Sequence, residues 1–356
     1  AKRTLDSVNT DLGRLAFRFV PSATEEILAE FTTQRIRQRN VDRVSLFDPD
    51  FGASYDLDFD LQNRQNARRY ALLYSNQGLR QSYVAGASAF RLSGTRDSSA
   101  TMCCLFDPAP QIFPFDPVAL KTDRDSVFGY GQWRVADWAS LHGGLEYVRL
   151  QDPNLGDRAE RVNGKLGAVF RLASGTTLRS AVFQGVKGVK YDQEGLEPTQ
   201  FAGFNQVFDD ISGTRWRRVA VAAEQHLSDR LSGGLEASWR WLDAPMVDPG
   251  ASNGYHLEDW KESLHRAHLA FPFGRRALLS AEWRRENIRY EGGNKLVRDT
   301  PWKVDTDLLP LRLWLKTGRA EVLLEHWLVR QRASQIASTG AESDARSTFT
   351  VTNLRL

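Results

Sequence analysis

Residues 231–241 read Leu231-Ser232-Gly233-Gly234-Leu235-Glu236-Ala237-Ser238-Trp239-Arg240-Trp241, and the alternation within them decides the fold. Successive side chains of an extended strand point to opposite faces. Leu231, Gly233, Leu235, Ala237, Trp239 and Trp241 therefore share one face, and Ser232, Gly234, Glu236, Ser238 and Arg240 share the other. The first face suits hydrocarbon, with two tryptophans at one end of the run; the second suits water. The same reading recurs along the chain. Val219, Val221, Ala223 and Leu227 alternate with Arg218, Glu224 and His226. Val162, Leu166, Ala168, Phe170 and Leu172 alternate with Asn163, Lys165 and Arg171. Leu15, Phe17 and Phe19 alternate with Arg14, Ala16 and Arg18, and Leu309, Leu311, Leu313 and Leu315 oppose Arg312 and Lys316. A half-buried sheet in a soluble protein alternates in this way too. Its strands average only about 5–6 residues, and these runs are about twice as long. Residues 322–328, and His265 and His268 on opposite faces of 258–270, fit the alternation poorly and read as bulges or positions beyond a bilayer.

Outward from that stretch, the chain divides into seven hairpins: 11–21/25–38, 67–76/80–95, 123–136/139–150, 160–173/176–187, 214–228/231–243, 258–272/275–291 and 304–316/319–333. A further run, 344–356, follows. Within each hairpin the turn is short and polar, as at Pro21-Ser22-Ala23-Thr24, Ala173-Ser174-Gly175-Thr176, Ser228-Asp229-Arg230 and Lys316-Thr317-Gly318-Arg319, where Gly and Asp accept a positive φ. Between hairpins the segments 39–66, 96–122, 188–213 and 244–257 read as long loops rich in Asp, Pro, Gly and Asn. Short turns alternating with long loops predict an all-β, transmembrane antiparallel β-barrel of about 16 strands, with short periplasmic turns and long extracellular loops. The expectation is one outer-membrane barrel domain over residues 1–356, the C-terminal part of a longer chain, with its last strand beyond Leu356. Residues 1–7 contain no apolar signal-peptide core.

Composition agrees. The chain has 356 residues, 41% of them hydrophobic, and no stretch approaches the roughly 20 apolar residues of a spanning helix. Ten Trp, nine Tyr and nineteen Phe against two Met would furnish aromatic girdles. The balance of 47 basic and 44 acidic residues, without a long basic run, argues against nucleic acid as a partner. Cys103 and Cys104 are adjacent, which disfavours a disulfide between them and makes no zinc site.

At Leu196-Glu197-Pro198-Thr199-Gln200, Ala202-Gly203-Phe204-Asn205-Gln206 and Phe208-Asp209-Asp210, preceded by Thr177–Phe183 and followed by Trp216, the sequence resembles the C-terminal barrel domain of bacterial outer-membrane proteins that carry tetratricopeptide repeats ahead of the barrel. The Leu-x-Pro layout is also similar to the loop before a late strand of TonB-dependent receptor barrels. The resemblance covers about 120–290 by sequence. It implies a barrel, and in some relatives export of an exopolysaccharide. Neither a tetratricopeptide repeat nor a TonB-type plug occurs within these residues, which puts both partner binding and energised uptake in doubt.

No Gly-rich phosphate loop, Gly-x-Ser-x-Gly elbow or haem-attachment motif is present, so neither an enzyme nor a cofactor is expected. Spacing of three on a strand separates His265 from His268, so no metal is expected there. Asp209 and Asp210 read as solvated loop charge rather than a calcium site. The proline-rich, aromatic 105–117, with Phe106, Phe113 and Phe115, is too apolar for a free loop; it suits a pore mouth or a protein partner bound through 96–122. An N-terminal region ahead of Ala1 is the other candidate for holding a partner. The expected lumen-facing residues are Arg14, Arg18, Lys165, Arg171, Arg218, Glu224, Glu236, Arg240, Glu282, Arg284 and Arg312. The expected aromatics at the lipid interface are Phe17, Phe19, Trp133, Tyr147, Phe170, Trp239, Trp241 and Trp283. Outer-membrane lipid is the expected surrounding partner. Two functions are consistent with this: a porin-like conduit for an anionic solute or exported polysaccharide, or a structural anchor or sleeve whose lumen or loops hold a partner of an extracellular assembly. Arginine excess on the lumen face favours anions if the charges meet water, and only braces the wall if they pair with each other's neighbours.

Overall fold

A computed structural model describes residues 2–48, 53–103, 111–152, 157–173, 175–188, 196–247, 255–291, 301–318, 320–336 and 342–355. The elements in chain order are β1 (Lys2–Ser22), β2 (Glu25–Asp48), β3 (Ala53–Gln77), β4 (Gln81–Cys103), β5 (Gln111–Ala136), β6 (Ala139–Asp152), β7 (Asp157–Arg171), β8 (Thr176–Val186), β9 (Gln200–Phe201), β10 (Phe204–Asn205), β11 (Arg215–Ser228), β12 (Leu231–Val247), β13 (Tyr255–Phe273), β14 (Ala277–Tyr290), β15 (Lys303–Thr317), β16 (Ala320–Ile336) and β17 (Glu342–Arg355). Fifteen of them form one antiparallel sheet in strict sequence order; β9 and β10 make a separate small hairpin. This up-and-down order is the architecture of a transmembrane barrel. All seven hairpins expected from the sequence are present, and the fifteenth run is β17.

The loop assignments need correction. Residues 39–66 and 96–122 are mostly strand: β2 and β3 stay paired out to Asp48 and Ala53, and β4 and β5 out to Met102 and Gln111. The connection at 244–257 likewise shrinks to 248–254. Beyond a bilayer both faces of a sheet meet water, so the polar residues that read as loop are compatible with a ladder held by backbone hydrogen bonds. Phe113 and Phe115 therefore lie in β5, not in a loop; Cys104 and Phe106 fall outside the described residues, as does the side chain of Cys103. A long connection is found at 187–214, between β8 and β11.

Register assigns every strand residue to a face. On the outer face Leu15, Leu145, Leu166 and Leu235 are each more than 60% exposed, an apolar surface that water does not tolerate at this extent. Counted away from the short turns, the outer row runs apolar and then turns charged. In β2 the row is Ile27, Ala29, Phe31, Thr33, then Arg35; in β3 Leu72, Tyr70, then Arg68; in β4 Ala87, Ala89, then Arg91. In β6 it is Leu145, Tyr147, then Arg149; in β14 Leu279, Ala281, Trp283, then Arg285; in β15 Leu311, Leu309, then Asp307. Rows of about eight to ten tilted residues span roughly 25 Å, the height of a lipid-facing band.

Candidate functional site

Part of the inner face is covered by a segment of the chain itself. Residues 196–214, in the connection between β8 and β11, fold against β5–β8 and β11–β12. At their centre Ala202 and Gly203 take φ of 49° and 81°, the left-handed pair that a two-residue hairpin turn requires, and so join β9 to β10. Phe201 and Phe204, on either side of the turn, are 5% and 1% exposed. They share one apolar cluster with Phe183, Trp216, Ala220, Ala222 and Leu242 of the wall. Gly167 of β7 makes the contact possible: a Cβ there would stand 2.6 Å from that of Ala202.

Charges anchor the segment at both ends. Near its start, Glu197 accepts hydrogen bonds from the Tyr130 hydroxyl and from Lys165 Nζ (3.1 Å). Lys165 also donates to the Tyr130 hydroxyl at 2.7 Å and to Gln206 Oε1 at 2.8 Å. Glu146, paired with Arg124 at 3.2 Å and Lys165 at 3.7 Å, lies just beneath. Near its end, Arg240 grips Asp210 with two hydrogen bonds of 2.7 and 2.8 Å and bonds Glu262 on the next strand; its guanidinium lies 3.9 Å from the centre of the Phe208 ring. In between, Arg218 donates to Asn205 O at 2.7 Å and Arg179 to Gly203 O at 2.7 Å. Such bidentate and charge-assisted contacts are the strong ones. A cavity of roughly 100 Å³ remains between segment and wall, bordered by Arg124, Glu146, Lys165, Glu197 and Gln206.

All eleven residues expected to face a lumen lie on this inner face by register. The segment brings together Lys165, Arg218 and Arg240. Elsewhere Arg14 pairs with Glu30, Arg18 with Glu26 (2.6 Å), Glu224 with Arg179 (2.6 Å), Glu236 with Arg218 and Arg266, and Arg312 with Glu325 (2.9 Å). Glu282 stands between Arg266 and Arg284. Arg171 shares the face without joining the segment. The carboxylates Glu30, Glu146, Glu262 and Glu325, and the bases Arg69 and Arg124, were missed because their strands alternate less cleanly. Their signal was register: each stands beside an opposite charge on a neighbouring strand. Asp210 is corrected from solvated loop charge to a half-buried partner of Arg240. The eight aromatics lie on the outer face, Phe17, Phe19, Trp133, Tyr147, Trp239 and Trp283 exposed and Phe170 and Trp241 half-buried. His265 and His268 point to opposite faces, opposite Arg285 and Glu282. Among the described residues no group of three or more His, Cys, Asp or Glu is placed to hold a metal.

No known family profile matches the chain, and no curated protein does. Solved structures do. The pyoverdine outer membrane receptor FpvA from Pseudomonas aeruginosa bound to pyoverdine is 14% identical with a TM-score of 0.64, over 98% of this chain and 54% of that one. BauA, the ferric preacinetobactin receptor from Acinetobacter baumannii, is 9% identical with a TM-score of 0.61, over 96% and 55%. The copper transporter OprC is 12% identical with a TM-score of 0.55, over 98% and 63%. At these identities the likeness shows the fold: that of bacterial outer-membrane receptor barrels. The chain spans about half the length of the structures it matches. The resemblance to receptor barrels is thus met in three dimensions, whereas none of these structures supports that to tetratricopeptide-associated barrels.

Proposed function

We propose that this chain forms wall and constriction of a selective outer-membrane conduit, with residues 1–356 acting as one barrel domain and the inner face as its lumen. The observation that carries the reading is the segment 196–214, fixed across the inner face by Glu197 and Asp210. A segment so anchored narrows a passage and presents the groups a solute meets. The charges of the wall are largely compensated by neighbours, which favours a braced wall over a basic lumen as the source of selectivity. The outer aromatics sit against lipid. The solved relatives are receptors and transporters of metal complexes and metals by their own descriptions, and a ligand-selective passage suits the narrowed lumen better than a polysaccharide exit.

Planar-bilayer recordings test this. Wild-type protein is expected to show small or no steps, and a variant carrying Arg240→Ala and Glu197→Gln to show larger, flickering openings. Large, steady and identical openings in both would sink the constriction. A second reading, an anchor for a protein partner, draws support from the length of β2–β5 beyond the apolar band; silence in both proteins together with a partner recovered from native membranes would favour it.

A further inference from the structure

On the outer face of β2 and β3, immediately past the apolar band, four exposed arginines stand together: Arg35, Arg37, Arg64 and Arg68. Arg37 and Arg64 are direct cross-strand partners, a like-charge arrangement that costs stability unless an anion lies between. Among the described residues, none of the four has a carboxylate partner; Arg35 donates only to Asn66 Oδ1 (3.2 Å). The acids nearby are otherwise engaged or lie to one side. Asp123 and Asp125 bind Arg91, and Asp60 binds Arg39. Asp11 stands across from Arg35 in register without an ion pair between them. Higher on the same strands Arg39 and Arg43 do have carboxylates opposite, so the missing partners are confined to the level of the band's edge.

Two troughs are stacked at this place. The upper is lined by Arg35, Asn66, Arg68, Arg91 and Lys121 together with Asp11 and Asp123, and Gly13 leaves it open; Arg37 and Arg64 stand one outward position further from the band. The lower, one or two outward residues nearer the short turns on the same five strands, is lined by Phe17, Phe31, Tyr70, Leu72 and Val127. A cationic trough above an apolar one, on the lipid side, matches an amphiphile with an anionic head and hydrocarbon tails. Arginine forks favour phosphate in particular, and basic clusters beside a bilayer select anionic headgroups.

We propose that Arg35, Arg37, Arg64 and Arg68 bind the phosphorylated headgroup of an outer-leaflet lipid whose acyl chains lie in the trough between Phe31, Tyr70 and Val127. The proposal rests on the outer face meeting lipid and is independent of whether the lumen conducts. Native mass spectrometry of the full chain in detergent, titrated with diphosphorylated lipid A, tests it. Substitution Arg37→Ala/Arg64→Ala/Arg68→Ala is expected to weaken retention by roughly a hundredfold, from the usual contribution of an arginine beside an anionic surface. The corresponding triple Arg→Lys variant keeps most of it, and Arg275→Ala/Arg276→Ala at a short turn changes nothing. Lipid A stripped of its phosphates binds weakly to all. Retention unchanged by the triple Ala substitution overturns the proposal. So does an equal loss for the phosphate-free lipid, which assigns binding to the acyl chains, or complete competition by inorganic phosphate at equal concentration, which makes the ligand the free ion. Should the triple variant fail to fold, wild-type retention must fall steeply with salt; salt-independent retention overturns the proposal as well.

Discussion

Strands β2–β5 follow one rule of sidedness below Arg35 and Arg68 and the reverse rule above them. Below, Phe31, Tyr70 and Leu72 face outward while Glu30 and Arg69 pair on the inner side. Above, the outer face carries Arg39 with Asp60 and Arg43 with Asp58 (both 2.7 Å), and the inner face carries Phe59, Leu61, Ala100, Phe113 and Phe115, brought into line by register. The ladder is continuous across the change. What differs is the medium: hydrocarbon outside the lower half demands apolar side chains there, and water outside the upper half releases that demand. Sidedness therefore reports the solvent on each face at each height, not a fixed inside and outside of the chain.

The sharpest way to break the comparison is to remove a charge from each half. Arg69 and Glu30 are almost fully buried, 5% and 2% exposed at the side chain. Arg69→Ala leaves a buried carboxylate with only Arg14 and Thr32, and is expected to cost about 3 kcal/mol in urea unfolding of the micelle-bound protein. Arg43→Ala, which breaks an exposed pair, should cost at most about 1 kcal/mol. Equal costs would mean that the inner face behind the band is as wet as the upper half. Next in size, Leu145→Arg on the lipid side should destabilise by about 2–4 kcal/mol, whereas Gln62→Arg, on the outer face of the upper half, should lie within about 0.5 kcal/mol. Heat-dependent gel mobility of the folded form reads both. The smallest effect is one of pH. The Arg43 guanidinium holds the Asp58 carboxyl below its ordinary value. A depressed acid stabilises above its unfolded pKa, about 3.9, and that contribution fades as pH falls through the lower folded value. Protease sensitivity of the upper hairpins should thus rise only below about pH 4, and Asp58→Asn should abolish the rise.

The lower half was legible in the sequence because one medium forces one pattern: Leu235, Ala237 and Trp239 against Glu236, Ser238 and Arg240 leave little choice of face. The upper half was not. Asp56, Asp58 and Asp60 alternate with Leu57, Phe59 and Leu61 as regularly as any lower strand, but so acidic a run resembles a solvated loop when the bilayer is taken as the only reason for alternation. The segment 196–214 is recognisable as a distinctive motif, and alternation alone puts Lys165, Arg218 and Arg240 each on the polar face of its strand. Their contact with Glu197, Asn205 and Asp210 was hidden because it joins residues 13 to 32 positions apart across three strands, and no local period records it.

The position of Ala202 and Gly203 against Gly167 also constrains the order of assembly. Phe201 and Phe204 are packed on the interior of the wall between strands that precede and follow them in the chain. A wall already rolled up could receive them only by way of its open end, past the charges that later grip them. Packing of this turn is sterically easiest while β8 and β11 are still docking edge to edge, which couples the turn to the pairing of those two strands.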